Sequence, residues 1–85
     1  MRGEWEEVSY RQDDREQKAL YKKISFSDFK EALDFVIKVG ELAEKANHHP
    51  DINLSWGSVG IRLTTHSERK ITEKDHQLAS LIDSL

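Results

Sequence analysis

The chain has 85 residues, 36% of them hydrophobic and 34% charged, with a net charge of −3 and no cysteine. One domain of this size buries only about 60% of the surface that its unfolded chain exposes, so self-association is a natural source of further stability. Without cysteine there is no disulfide and no thiolate metal site. The 13 basic residues form no dense block of the kind that nucleic acid requires, and no apolar run approaches the roughly 18 residues of a membrane span. The acidic start, Met1-Arg2-Gly3-Glu4-Trp5-Glu6-Glu7, is unlike a signal peptide. These features point to one cytoplasmic domain over residues 1–85.

Residues 5–26 predict two antiparallel strands. Trp5, Val8, Tyr10, Leu20, Tyr21, Ile24 and Phe26 favour extended chain. The charged stretch Arg11-Gln12-Asp13-Asp14-Arg15-Glu16 between them suits an exposed hairpin tip. A helix is expected next. Ser27 is read as its cap, with Asp28 and Glu31 at the positive end of its dipole. Phe29, Leu33, Val36, Gly40 and Ala43 recur every three or four residues and mark its apolar face. Gly40 and Ala43 are small enough to admit another backbone. Pro50 lies where the chain must have left the helix.

Residues 52–66 predict a second hairpin. Ile52, Leu54 and Trp56 alternate, Gly57-Ser58 offers a turn, and Val59, Ile61 and Leu63 alternate again. Period two then sets Arg62, Thr64 and His66 on the opposite face, with His66 near a strand end. A second helix begins at Thr72, where Asp75 takes the place of the usual glutamate in a capping box. Leu78, Leu81, Ile82 and Leu85 form its stripe. The order β-β-α-β-β-α predicts an α+β fold, a four-stranded antiparallel sheet with both helices packed on one face.

Three histidines and two carboxylates stand out. If the first helix reaches far enough, Glu44 and His48 share one of its faces at i,i+4, while His49 points elsewhere. His66 comes from a strand end and Asp75 from a helix start, so the ends of several elements can meet. Each residue also has a plain structural reading. His48 and His49 suit a polar helix terminus, His66 a solvated strand end, and Asp75 the cap of Thr72. Trp56 suits a packing wall, and Trp5 a cover for the sheet. Three histidines with Glu44 also match zinc or iron ligands by type, although adjacent histidines fit a tetrahedral site poorly.

The pattern Glu44-x-x-x-His48-His49-Pro50-x(5)-Trp56-x(9)-His66-x(8)-Asp75 resembles the signature of the pterin-4a-carbinolamine dehydratases at every specified position. Phe26-Ser27-Asp28-Phe29, Leu63-Thr64-Thr65-His66 and Asp75-x-x-Leu78-Ala79 are similar to the family as well. The likeness covers residues 19–83 closely and Trp5 more loosely, and the first hairpin is longer than in many relatives.

The resemblance implies a lyase that needs no cofactor and no metal. It removes water from a 4a-hydroxytetrahydropterin to give quinonoid dihydropterin. One group must protonate the leaving hydroxyl and another must accept a proton from a ring nitrogen, and imidazole serves both ends near neutral pH. By resemblance, His49 is the principal acid and base, with His48 and His66 binding substrate and sharing proton transfer. Glu44 orients His48 or binds the pterin, Asp75 fixes the pocket or a histidine tautomer, and Trp56 lines the site.

The family also implies a homodimer or homotetramer, and some of its members partner transcription factors. An alternative is a pterin-binding role in molybdopterin metabolism, or a non-catalytic dimerisation module. Self-association has an independent argument, because Phe35, Val39 and Leu42 lie off the expected sheet-facing stripe and call for a second subunit to cover them.

Overall fold

The computed structural model describes residues 5–85. The expectation for the start of the chain falls partly on residues 1–4, outside that range. Among the described residues the elements are β1 (Glu6–Gln12), β2 (Arg15–Ser25), α1 (Phe29–Ala46), β3 (Asp51–Ser55), β4 (Ser58–Leu63) and α2 (Glu73–Asp83). The strands form one antiparallel sheet in the order β1-β2-β4-β3, and the two helices pack on one face of it as expected. No helix among the described residues is long and apolar enough to cross a membrane.

Both hairpins turn on two residues. Asp13 and Asp14 have φ of 54° and 62° at the first tip. Two consecutive positive φ values give a turn whose twist matches that of the flanking strands, and aspartate tolerates them better than most residues. The second turn is Trp56-Gly57, one residue earlier than expected, because Ser55 pairs with Ser58. At the sheet centre, Leu20 lies opposite Leu63, Lys22 opposite Ile61, and Ile24 opposite Val59. Val59, Ile61 and Leu63 are fully buried under the helices with Ala32, Val39, Leu78 and Ile82.

On the other face of the sheet, Arg62 lies over the Tyr10 ring at 4.1 Å and pairs with Asp51 at 3.2 Å. Gly60 there leaves room for Tyr21, whose hydroxyl stands 2.8 Å from where a Cβ would be. Thr64 is buried, its hydroxyl donating to the Lys18 carbonyl.

The first helix sits differently from expectation in two respects. Its cap is Asp28, which accepts from the Glu31 amide, while the Ser27 amide donates back to the Glu31 carboxylate. Asp28 takes the cap because its carboxylate reaches the amide three residues on, and Glu31 completes the reciprocal pair. The buried face is also rotated. Ala32, Val39 and Ala43 are buried and Phe35, Val36 and Leu42 half-buried, whereas Phe29 and Leu33 remain 43% and 37% exposed.

Apolar residues occupy more than half of this helix's circumference, so the 3.6 period alone allows two centres for the buried stripe. Val39 and Leu42 are therefore part of the core side, and the outward stripe is Phe29, Leu33 and Ile37. A Cβ placed on Gly40 would meet nothing within 4 Å, so Gly40 is not a close-packing point within the protomer.

The capping box of α2 forms as expected at Thr72 and Asp75. The buried residues of α2 are Asp75, Leu78, Ala79 and Ile82, with Leu81 and Leu85 exposed. Trp5 covers the helix-bearing side of the sheet. Its indole nitrogen donates to the Asp83 carboxylate, which also pairs with Lys22 at 2.8 Å. The start of the sheet is thereby tied to the end of α2.

Candidate active site

The end of α1 sets the geometry. The helix closes at Asn47, which adopts the left-handed conformation with φ of 52°, and its amide returns to the Ala43 and Glu44 carbonyls. Asparagine accepts that conformation at modest cost. The next amide, that of His48, donates to the Ala43 carbonyl at 3.1 Å. The helix thus ends before His48, and the expected Glu44–His48 pair on one helical face does not form. Glu44 instead meets His49, its carboxylate 2.5 Å from Nε2.

His48 turns inward. Its Nε2 lies 2.6 Å from Oδ1 of Asp75, whose side chain is completely shielded from solvent. The other oxygen of Asp75 accepts from the Thr65 hydroxyl and the Thr72 amide, each at 2.9 Å. The Thr65 and Thr72 hydroxyls are 2.6 Å apart. Asp75 therefore does two jobs at once, completing the cap of α2 and gripping His48. A buried carboxylate is tolerable because charge-assisted hydrogen bonds replace the water it has lost.

Two imidazole–carboxylate pairs thus stand on consecutive residues, one buried and one open. An ionised carboxylate only accepts, so each ring donates its Nε2–H and keeps Nδ1 as its second nitrogen. Beside the open pair runs a groove lined by Ile37, Gly40, Glu41, Glu44, Lys45 and His49.

His66 and Trp56 make no hydrogen bond to either pair. His66 follows Thr65 at the start of a turn that bridges Thr65 to Lys70, and its side chain is exposed without a hydrogen bond to the other histidines. Trp56 is 68% exposed at the β3–β4 tip, so it is not a packing wall within the protomer. Six residues of extended chain, at about 3.3 Å each, separate it from Pro50 by roughly 20 Å. Among the described residues no group of three or more His, Cys, Asp or Glu side chains is placed to hold a metal ion. The roles of Thr65 and Thr72 were not read from the sequence as site roles, although Leu63-Thr64-Thr65-His66 and the Thr72 cap were both visible there.

Known proteins resemble this chain in sequence and in fold. The sequence profile of the family described as pterin 4 alpha carbinolamine dehydratase matches residues 2–85. A protein of Rubrobacter xylanophilus, provisionally named a pterin-4-alpha-carbinolamine dehydratase, is 48% identical over 66 residues, 78% of this chain and 62% of that protein. A similarly named protein of Picosynechococcus is 46% identical over 66 residues, 78% of this chain and 72% of that protein. The chain thus spans about three fifths of the length of the Rubrobacter relative.

The crystal structure of a transcriptional coactivator/pterin dehydratase from Brucella melitensis superposes with a TM-score of 0.80 at 31% identity, covering 94% of this chain and 79% of that one. A pterin dehydratase-like RuBisCO assembly factor of the alpha-carboxysome shares the fold, with a TM-score of 0.74 at 22% identity over 94% of this chain and 86% of that one. With the profile matching nearly its whole length, this chain belongs to the pterin-4a-carbinolamine dehydratase family.

Proposed function

We propose that this protein is a hydro-lyase that dehydrates 4a-hydroxytetrahydropterin to quinonoid dihydropterin in pterin recycling, using histidine acid–base chemistry. The observation that carries the reading is the pair of imidazole–carboxylate contacts, His48–Asp75 and His49–Glu44, built from signature residues in a chain of this family. In the reaction the C4a–O bond breaks, the oxygen leaves as water after taking a proton, and a ring nitrogen gives up a proton. With Nε2 committed to a carboxylate, Nδ1 is the atom of each ring that exchanges protons. A positioned acid or base of this kind contributes about 10² to 10⁴ in rate.

His49 is the principal acid and base, since it borders the open groove where a planar substrate has access. His48, held by Asp75, binds the carbinolamine and relays protons, and exposed His66 reaches in when substrate is bound. Glu44 orients His49 and Asp75 orients His48. No metal or organic cofactor takes part. The working form is cytoplasmic and at least a homodimer. The test is dehydration of freshly generated 4a-hydroxytetrahydrobiopterin followed by the absorbance of the quinonoid product. Acceleration over the spontaneous rate is expected, and an unchanged rate at micromolar protein would overturn the reading.

A further inference from the structure

His48, His49 and Pro50 form a three-residue span between two fixed points. On one side is Asn47, whose amide returns to the Ala43 and Glu44 carbonyls and closes α1. On the other is Asp51, the first residue of β3. β3 lies at one edge of the sheet, and its first rung sets Asp51 opposite Arg62 of β4. The end of an edge strand is where a sheet opens most readily. This end leads directly into the histidines.

More than backbone holds that rung. The Arg62 guanidinium lies 3.2 Å from the Asp51 carboxylate and 4.1 Å from the centre of the Tyr10 ring. Arg62 thus ties β3 to β1, at opposite edges of the sheet. The Tyr10 hydroxyl donates to the buried Gln17 side chain at 3.3 Å, which steadies the ring. Nε of Arg62 is shielded from solvent and has no hydrogen-bond partner, alone among the buried side-chain polar atoms of the described residues. A stranded donor lowers stability and calls for an explanation. Here it accompanies a posture in which the guanidinium rests its face on Tyr10 while its tip meets Asp51.

Both helices lie on the other face, so this clamp approaches the histidine span from behind. The link is short and stiff, because Pro50 alone separates Asp51 from His49 and its ring fixes φ near about −65°. A shift of Asp51 is therefore passed to His49. His48 has its own anchor in the fully buried Asp75. His49 is held by Glu44, and both of those side chains are more than half exposed. An exposed pair contributes little, so the place of the His49 ring depends on where its backbone is set.

We infer that Arg62 is a positioning residue for His49: stacked on Tyr10 and paired with Asp51, it fixes the entry of β3 and so holds the His49 imidazole at the groove. This rests on the functional reading above and extends the site to the opposite face of the sheet. Arg62 acts through Asp51 and Pro50.

Arg62→Ala and Asp51→Ala should each lower kcat by about three- to tenfold with little change in KM, a loss bounded by the modest worth of a half-exposed pair. The double variant should lose no more than either alone. Arg62→Lys keeps the charge without the flat face and should recover part of the loss. Lys30→Ala removes a salt bridge of the same 3.2 Å length on the surface of α1 and should leave kcat at the parental value. Asp51 is exposed, so Asp51→Ala carries the test if Arg62→Ala does not fold. Parental kcat in both single variants, additive losses in the double variant, or an equal loss in Lys30→Ala would overturn the proposal.

A second readout needs no turnover. In Arg62→Ala or Asp51→Ala the 15N shifts of the His49 ring should move toward those of a free imidazole, while those of His48 stay, since Asp75 still grips it. Unmoved His49 shifts, or equal movement of both rings, would overturn the positioning role. A parent protein without dehydratase activity, in which His49 alone still responds to Arg62→Ala, would sink the functional reading and leave the clamp standing.

Discussion

Replacing Asp75 tests the core of the site. In Asp75→Ala, three donors lose their acceptor: the Thr72 amide, the Thr65 hydroxyl and the Nε2–H of His48. The Thr65 hydroxyl can turn to Thr72, 2.6 Å away, which leaves two stranded. Each buried unsatisfied donor costs about 1–3 kcal/mol, and the lost cap is included in that range. Thr72 and His48 are near enough to the surface for water to recover part of this, so the expected loss is roughly 2–4 kcal/mol. For a domain of this size each kcal/mol lowers the melting temperature by about 4–8 °C, which predicts a fall of roughly 10–30 °C.

Asp75→Asn should behave differently. Its oxygen can still accept from Thr65 and Thr72, so the fold should hold within about 1–2 kcal/mol. Its amide, however, presents N–H to His48, which must then accept at Nε2 and carry its proton on Nδ1. Turnover should drop by about 10² in this folded variant. Thermal unfolding by circular dichroism reads the first effect, and 15N shifts of the His48 ring read the second. A loss below about 1 kcal/mol for Asp75→Ala would refute the structural role. An unchanged His48 tautomer in Asp75→Asn with normal turnover would refute the orienting role.

Other outcomes follow from the same geometry. His49→Ala should lower kcat by about 10² or more, and His48→Ala should change both kcat and KM; a fully active His49→Ala protein would reassign the acid–base role. Activity should survive exhaustive chelation, and complete loss restored by zinc would favour a metal mechanism instead. Val39→Glu should unfold the domain, because Val39 is fully buried, whereas Ile37→Glu should keep the fold at a site 52% exposed. Comparison of their circular dichroism spectra decides between them, and a folded Val39→Glu protein would mean the core is misread.

The sequence by itself determined the order of elements and the pattern of the sheet. Alternation in both hairpins, the helix between them and the Thr72–Asp75 cap are local signals, each legible within a few residues because strand and helix periods are short-range properties. The histidine and carboxylate positions were equally legible as a spaced signature. Which carboxylate holds which histidine was decided by tertiary structure. Sequence spacing joined Glu44 to His48, but the left-handed turn at Asn47 ended the helix first, giving Glu44 to His49 and sending His48 across to Asp75, 27 positions along the chain. The buried face of α1 was decided in the same way. Its apolar residues cover more than half a turn, so only docking onto Val59, Ile61 and Leu63 selected Ala32 and Val39 over Phe29 and Leu33. The exposure of Trp56 at a hairpin tip is likewise a fact of the assembled sheet, since a strand's period fixes which face a side chain leaves from but not whether another element comes to cover it.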